Sequence, residues 1–156
     1  MKVKFFLIII LVCCTDHVAS KEIVGWVEKV HLTQENILVV AKIDSGARHS
    51  SLHCDCQSQT NNKGEKWVHL KIRSVNGETL ELDKKVVRQA KIKRHDEEMQ
   101  IRDVIKLNIH LGSVIKEVEV NLIDRSGLNY QLLVGRSFLS GNFLIDTSKK
   151  FLISPK

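Results

Sequence analysis

An apolar run that ends in an acid shapes the stretch Ile37–Leu52, which has the sequence ILVVAKIDSGARHSSL. Its first part, Ile37–Ile43, is rich in β-branched residues and predicts a buried strand. The strand ends at Asp44, which is followed by a serine, a glycine and an alanine. A carboxylate at the end of a buried strand loses water, so it must be held by donors or take part in chemistry. The stretch therefore predicts a strand that presents a functional carboxylate on a turn.

Short strands separated by turns fill the rest of the chain. The predicted strands are Glu22–Val30, Ile37–Ile43, Trp67–Ile72, Glu78–Leu82, Val86–Ile92, Met99–Ile109, Val114–Ile123, Tyr130–Val134, Asn142–Ile145 and Phe151–Ile153. Gly25 is expected at a bulge, and Asn76-Gly77 is a strong hairpin signal. Cys54–Lys66 predicts a loop, Ser137–Leu139 a single helical turn and Asp146–Lys150 a turn. With almost no helical periodicity, the chain predicts an all-β barrel or sandwich.

The first twenty residues are typical of a secretory signal peptide. Lys2 and Lys4 precede the apolar segment Phe5–Cys14, which is too short to span a bilayer comfortably. Val18–Ser20 fits the small-residue rule for cleavage. We therefore expect residues 1–20 to be removed.

Cleavage after Ser20 leaves a single domain over residues 21–156, exported to a periplasm or secreted. Two alternatives are less favoured: a lipoprotein with lipid on Cys13 or Cys14, and an uncleaved N-terminal anchor. No later stretch is apolar enough to predict a transmembrane segment.

The charge of the expected mature chain does not indicate a nucleic-acid partner. It carries 22 basic and 17 acidic side chains, a net charge of +5 that is spread along the sequence. The local cluster Lys91–Arg94 is more typical of a solvated hairpin than of a nucleic-acid patch, and an export signal lowers that interpretation further.

Two cysteines, Cys54 and Cys56, remain in the mature chain. A disulfide across one residue, two free thiols, a redox pair and a metal pair all stay open. Together with His49 and His53 they form an alternative zinc-ligand set, although no H-E-x-x-H and no paired C-x-x-C occurs. No G-x-x-x-x-G-K-[ST] loop or G-x-S-x-G elbow occurs either. We therefore expect no cofactor, with zinc as the alternative.

Several motifs resemble a known family. Asp44–Ala47 after an apolar strand resembles the D-[ST]-G-A turn of retropepsins, the aspartic peptidases of retroviral type. Leu132–Leu139 (LLVGRSFL) resembles the retropepsin pattern of apolar strand, Gly-Arg and short helix. Together with Lys42–His53, Ile123–Gly127 (IDRSG) and Phe143–Ser148 (FLIDTS), it is similar to a bacterial subgroup historically labelled "ATP-dependent zinc protease" and usually regarded as retropepsin-like.

The resemblance implies a closed, single-lobe acid-protease barrel that acts as a homodimer. Two carboxyl groups sharing one proton are needed, one to activate water and one to donate to the scissile carbonyl. Asp44 of each subunit would supply them on a two-fold axis. Ser45, Gly46 and Ala47 would shape the turn, and Gly46 would donate its N–H to the carboxylate. The less favoured reading is an Asx-type structural turn.

Other positions follow from the same resemblance. Gly135 and Arg136 would brace the Asp44 turn from behind. Arg48 stands where retroviral enzymes have an acid, so Arg136 lacks that carboxylate partner. We expect Asp124 or Asp146 to replace it.

A substrate-covering flap is expected in the hairpin Val86–Asp103, with Arg94, His95 and Asp96 at its tip, although a solvated turn is an equal alternative. Asp146-Thr147-Ser148 imitates a second motif but lacks the glycine, so a turn is favoured there.

The sequence thus predicts an exported aspartic endopeptidase that cuts an extended peptide or protein substrate. A zinc-dependent protease that uses the His49, His53, Cys54 and Cys56 loop is the first alternative. A non-catalytic module of the same fold, which adds a strand from a peptide partner, is the second.

Overall fold

The computed structural model describes residues 20–54, 56–93 and 99–153, with the backbone alone for Lys93. Within these ranges the chain forms eleven strands and one short helix, as the all-β prediction requires. They are β1 (Glu22–Leu32), β2 (Ile37–Ile43), β3 (Ser50–His53), β4 (Gln57–Thr60), β5 (Lys66–Arg73), β6 (Thr79–Lys85), β7 (Arg88–Lys93), β8 (Met99–Leu111), β9 (Val114–Ile123), β10 (Leu132–Val134), α1 (Arg136–Leu139) and β11 (Phe143–Lys150).

The strands form two sheets. A mixed eight-stranded sheet has the order β11-β1-β2-β10-β3-β9-β8-β7, and β4-β5-β6 form a separate antiparallel sheet. In addition to its neighbours in this order, β1 pairs with β8, but at only two residue pairs, His31 with His110 and Leu32 with Ile109. The expectation of a closed barrel is therefore corrected, because the large sheet curls on itself without closing into a true barrel.

The core lies between the sheets and follows from strand alternation. On β2, Val39, Ala41 and Ile43 are buried, whereas Leu38, Val40 and Lys42 lie on the outer face. The buried face of β5 (Val68, Leu70 and Ile72) joins the same core. Burying each such side chain contributes about 1.5–3 kcal/mol. Asp44 directly follows β2 and continues this alternation, so its side chain lies on the same outer face as those of Val40 and Lys42.

Three segments differ from the sequence prediction. Ser50–His53, which was not predicted as a strand, forms β3 between β10 and β9. Gln57–Thr60, inside the expected loop, forms β4 because it pairs with β5, although all four of its residues are exposed. The expected turn Asp146–Lys150 and closing strand Phe151–Ile153 are wrong, because β11 runs unbroken to Lys150 beside β1. A bulge was expected at Gly25; the register does shift between Gly25 and Val27, but two steps along β1 face four steps along β11 from Asp146 to Lys150, so the extra residues belong to β11.

A buried carboxylate holds the segment after β11. Glu28 is fully buried, and its Oε1 accepts the backbone N–H of Gly25 at 2.6 Å and of Leu152 at 3.0 Å. Its Oε2 accepts the N–H of Ile153 at 3.3 Å. The two oxygens of Glu28 are thus satisfied by backbone donors, and these bonds fix the chain after β11 against β1.

The signal peptide expected over residues 1–20 lies outside the described residues except for Ser20. Among the helices that the structure describes, none is long and apolar enough to cross a membrane.

Candidate active site

Asp44 lies at the point where β2 meets β10. Its backbone N–H donates to the carbonyl of Val134 at 2.9 Å, which continues the parallel pairing of the two strands. Its Oδ1 accepts the N–H of Gly46 at 2.8 Å and of Ala47 at 3.3 Å. The side chain is half-buried, whereas Ser45 and Gly46 are exposed. The turn therefore orients one carboxylate oxygen by its own backbone and leaves the other available.

The side chain of Arg136 fixes the first half of this turn. One guanidinium nitrogen, Nη1, donates to the carbonyl of Ser45 at 2.7 Å and to that of Gly46 at 2.9 Å. Hydrogen bonds from a charged donor are stronger than those between neutral groups. Arg136 thus holds the turn through its carbonyl groups, whereas Asp44 binds the turn through its N–H groups.

The backbone of α1 fixes the second half. The N–H of Arg136 donates to the carbonyl of Ala47 at 2.9 Å, and the N–H of Ser137 donates to that of Arg48 at 2.9 Å. These N–H groups open the helix and have no partner inside it, so the turn satisfies them. All four consecutive carbonyls from residue 45 to residue 48 are thereby bound by two residues.

Gly135 allows this close approach. A Cβ there would lie 2.7 Å from the backbone carbon and oxygen of His49. Its N–H donates to the hydroxyl of buried Ser50 at 3.2 Å. A glycine is required at this position because the neighbouring atoms are backbone and cannot move aside cheaply.

The expected carboxylate partner of Arg136 is corrected. In the described ranges Arg136 pairs with neither Asp124 nor Asp146. The backbone N–H of Ser126 is the main cause of the lowered pKa of Asp124, and its carboxylate lies 3.7 Å from His53. Asp146 lies in β11, where the hydroxyl and N–H of Ser148 lower its pKa. Carbonyl oxygens have replaced a carboxylate as the acceptors of Arg136.

The remaining residues of the turn face different surroundings. Arg48 is exposed. His49 is half-buried and lies close enough to Glu119 to add a small electrostatic effect on that carboxyl. The pKa of Glu119 is lowered chiefly by its hydrogen bond from Arg88. His49 and His53 therefore contact different groups.

Arg125 is a site residue that the sequence analysis did not single out. Its Nε donates to the carbonyl of Tyr130 at 3.0 Å, and its Nη1 donates to the hydroxyl of Ser51 at 3.2 Å. Its backbone N–H donates to Nδ1 of His53 at 2.8 Å. No carboxylate lies within ion-pair distance of this half-buried guanidinium in the ranges the structure describes.

Electrostatics connects Arg125 to Asp44. Burial lowers the pKa of Arg125, and the negative charge of Asp44 opposes that effect. Ser51, which binds Arg125, belongs to the strand that follows the Asp44 turn. Arg125 stands two residues after the last residue of β9, whereas Asp44 directly follows β2, so no local pattern in the sequence marked it.

Residues 124–131, hereafter the groove loop, form one wall of a groove of about 560 Å³. The end of the β5–β6 hairpin forms the other wall, and Gln131 joins the two by hydrogen bonds to both backbone groups of Arg73. Representative lining residues are Val40, Lys71, Arg73, Val75, Arg125 and Leu128. Lys71 is paired with Glu81 at 2.5 Å. Arg73 and Arg125 have no carboxylate partner in the described part of the chain.

The residues expected to bind zinc in the alternative do not fit a metal. Cys54 and Cys56 are joined in a disulfide, so neither offers a thiolate. Nδ1 of His53 already accepts the N–H of Arg125. Across residues 20–54, 56–93 and 99–153, no group of three or more histidine, cysteine or acidic side chains is arranged to hold a metal ion.

The tip of the expected flap, with Arg94, His95 and Asp96, lies outside the described residues. Its two strands are β7 and β8, which pair from Arg88 with Val104 to Lys93 with Met99.

Comparison with known proteins adds a family and a fold. The family model described as RimB-like, retropepsin-like aspartic endopeptidase RimB, matches residues 23–156. A solved structure from Legionella pneumophila, of a protein with unknown function, has a TM-score of 0.68 at 30% sequence identity. The similarity covers 85% of this chain and 98% of that one.

Curated relatives carry a different name. A probable alpha-L-glutamate ligase of Shewanella pealeana is 34% identical over 121 residues, which cover 76% of this chain and 26% of the ligase. A protein of the same name from Shewanella halifaxensis is 33% identical over 118 residues, covering 74% and 26%. The chain therefore spans about a quarter of the length of these relatives.

Proposed function

This chain belongs to the RimB-like family of retropepsin-like aspartic endopeptidases, and on that premise we propose that it hydrolyses peptide bonds with Asp44 as the catalytic residue. The observation that carries the proposal is the fixed Asp44 turn. One carboxylate oxygen is held by the N–H groups of Gly46 and Ala47. The other is left for water, which is the arrangement that activation of a water molecule requires.

A second carboxylate must come from a second copy of the chain. In a homodimer the Asp44 side chains would meet on the two-fold axis. They would share one proton, because two carboxyl groups so close together cannot both be ionised. The ionised Asp44 removes a proton from the water between them. The protonated Asp44 donates to the scissile carbonyl as the tetrahedral diol forms. Reversal of these roles breaks the C–N bond and gives the leaving amine its proton.

Replacing Asp44 with asparagine tests the catalytic role. Asp44→Asn keeps an oxygen for the N–H groups of Gly46 and Ala47, so the fold should persist. Peptide cleavage should fall by at least about a thousandfold. A circular dichroism melt that matches the parent protein provides the control, and undiminished cleavage would refute the role of Asp44.

Subunit mixing tests the homodimer. If each site needs Asp44 from both chains, adding an excess of Asp44→Asn protein to the parent protein should remove almost all activity by forming mixed dimers. Sedimentation should give a dimer in the working concentration range. A molecule that is fully active as a monomer contradicts this part of the proposal.

We also propose that the substrate is acidic. The exposed Arg73 and the half-buried Arg125 line the groove without an ion-paired carboxylate in the part of the chain described, so an incoming anion would be attracted to both. Val40, at the floor of the groove, lies four residues before Asp44 on the same strand face, roughly 13 Å away. The curated relatives are named glutamate ligases, which favours a substrate that contains glutamate.

Matched peptides test this preference. A peptide with glutamates on one side of the cleaved bond should have a higher kcat/KM than its glutamine counterpart. Arg73→Gln should reduce the kcat/KM of the glutamate peptide, relative to that of the glutamine peptide, about fivefold or more. Added salt should reduce the same preference. Equal kcat/KM values for both peptides at low salt would contradict an acidic substrate.

The ligase name also favours a second candidate, a non-catalytic module that binds a peptide beside another enzyme. In that case neither the parent protein nor Asp44→Asn would cleave, and both would bind the glutamate peptide equally in calorimetry.

A further inference from the structure

Two adjacent residues hold both ends of the groove loop. The backbone N–H of His53 donates to the carbonyl of Gln131 at 2.6 Å, and that of Cys54 donates to the carbonyl of Ile123 at 3.1 Å. One of these carbonyls directly precedes the groove loop and the other belongs to its last residue. Displacement of His53 and Cys54 would therefore remove one backbone attachment at each end of the loop, although Gln131 would keep its side-chain bonds to Arg73.

The same pair of residues also fixes the middle of the loop. Nδ1 of His53 accepts the N–H of Arg125 at 2.8 Å. That bond sets the position of a cation that lines the groove and interacts electrostatically with Asp44. The position of Arg125 thus depends on where β3 ends.

A disulfide lies immediately after this anchor. Cys54 and Cys56 are two positions apart, with Cα atoms separated by 4.9 Å, a distance that such a bond accommodates. Because it closes a very short loop, it does little to restrict the unfolded chain and joins no distant elements. Its effect is local, on the path by which the chain leaves His53 for the exposed strand β4.

We propose that Cys54–Cys56 is a redox-active disulfide that controls the attachment of the groove loop. In the oxidised form the bond holds Cys54 in its buried position, 7% exposed, where its N–H reaches Ile123. In the reduced form Cys54 loses that restraint. The anchor and the groove loop then open more often.

The exchange takes place with an external dithiol. Cys56 is the more exposed of the two residues, so the incoming thiolate attacks its sulfur and displaces Cys54 as a thiolate, which takes up a proton. The second thiol of the dithiol, as a thiolate, then attacks the dithiol sulfur that is bonded to Cys56. The dithiol closes into its own disulfide and Cys56 leaves as a thiolate, which takes up a proton. Two cysteine thiols and one oxidised dithiol result, so two electrons and two protons have moved to the protein.

Hydrogen exchange on the full chain tests the proposal without any need for cleavage. The oxidised protein is compared with protein kept in dithiothreitol, and the redox state is confirmed by alkylation and mass measurement. Reduction should speed exchange at the amides of Cys54 and Arg125 by about tenfold or more. The amides of Gly46 and Ala47, which donate to Asp44, should be unchanged.

A double variant provides the second test. Cys54→Ser with Cys56→Ser should show the exchange pattern of the reduced protein and should no longer respond to dithiothreitol. Equal exchange in the oxidised and reduced parent protein would overturn the proposal, as would alkylation of both Cys54 and Cys56 in protein held in oxidised glutathione.

A change of cleavage rate on reduction would rest on the proposed function, whereas the exchange readout does not. Failure of the endopeptidase proposal would appear as no cleavage in either redox state. Failure of the redox proposal would appear as identical exchange, whatever the cleavage.

Discussion

The guanidinium of Arg136 lies 2.7 Å from the carbonyl oxygen of Ser45, a residue 91 positions earlier in the chain. The same nitrogen also binds the carbonyl of Gly46 at 2.9 Å. One side chain, from a residue far away in the sequence, thus holds the first half of the Asp44 turn.

Arg136→Lys should weaken this turn. A lysine ammonium sits on a more flexible stem and cannot reproduce the planar guanidinium geometry. We expect the free energy of unfolding to fall by about 1–3 kcal/mol and kcat to fall at least about tenfold. Urea unfolding and peptide cleavage measure the two effects. Arg48→Lys, in the exposed part of the turn, should leave the unfolding free energy within about 0.5 kcal/mol, and a similar loss in both variants would argue against this role of Arg136.

Gly135→Ala should destabilise the protein. The new Cβ would lie 2.7 Å from the backbone of His49, so either the turn or α1 must shift. The expected loss is about 1–3 kcal/mol in thermal unfolding. Gly127→Ala is the matched control, because nothing lies within 4 Å of its Cβ, and it should be close to neutral. Equal melting temperatures for the two variants would contradict the steric account.

Glu28→Ala should lower the free energy of unfolding by more than a substitution on the surface does. It leaves the N–H groups of Gly25, Leu152 and Ile153 without their acceptor, at about 1–3 kcal/mol for each donor that stays buried. Glu28→Gln keeps one oxygen acceptor and should lose less. Denaturant unfolding ranks the three proteins, and a glutamine variant as unstable as the alanine variant would show that the charge matters more than the acceptor.

The Arg88–Glu119 pair should give a pH-dependent contribution. The pKa of Glu119 is lowered mainly by its hydrogen bond from Arg88; burial opposes this, and the charge of Arg88 adds a smaller lowering effect. A lowered carboxyl pKa contributes stability above the unfolded value of about 4.3, and this contribution is lost as the pH falls through the folded value.

Arg88→Gln should therefore lower the free energy of unfolding at about pH 7 by less than about 1 kcal/mol, because the pair is partly exposed. At a pH below the folded pKa of Glu119, where the carboxyl is protonated in both states, the variant and parent should be equally stable. Urea unfolding at both pH values measures the difference, and an equal loss at both would mean that packing rather than charge is responsible.

The alternating strands and the location of Asp44 could be predicted from the sequence, because each depends on a local pattern. β2 shows buried and outer residues in strict alternation, and Asp44 follows it directly. Asn76-Gly77 also forms its turn, with Gly77 at a φ of +86°. Strand β4 could not be predicted, since QSQT has no apolar residue and is a strand only because β5 pairs with it.

The role of Arg125 could not be predicted because it depends on which strands are neighbours. β3 and β9 pair in parallel, which brings His53 beside Ile123 although 70 positions separate them in the chain. The carbonyl partners of Arg136 were missed for the same reason. A local pattern shows which face of a strand is buried, and it does not show which strand lies alongside.

The four carbonyls that Arg136 and Ser137 bind have a consequence for biosynthesis. Ser45 and Gly46 are synthesised 91 and 90 residues before Arg136, so a nascent chain holds the acid without the scaffold that fixes its turn. The Asp44 turn can therefore take its folded form only after Arg136 and Ser137 have been synthesised and have left the ribosome.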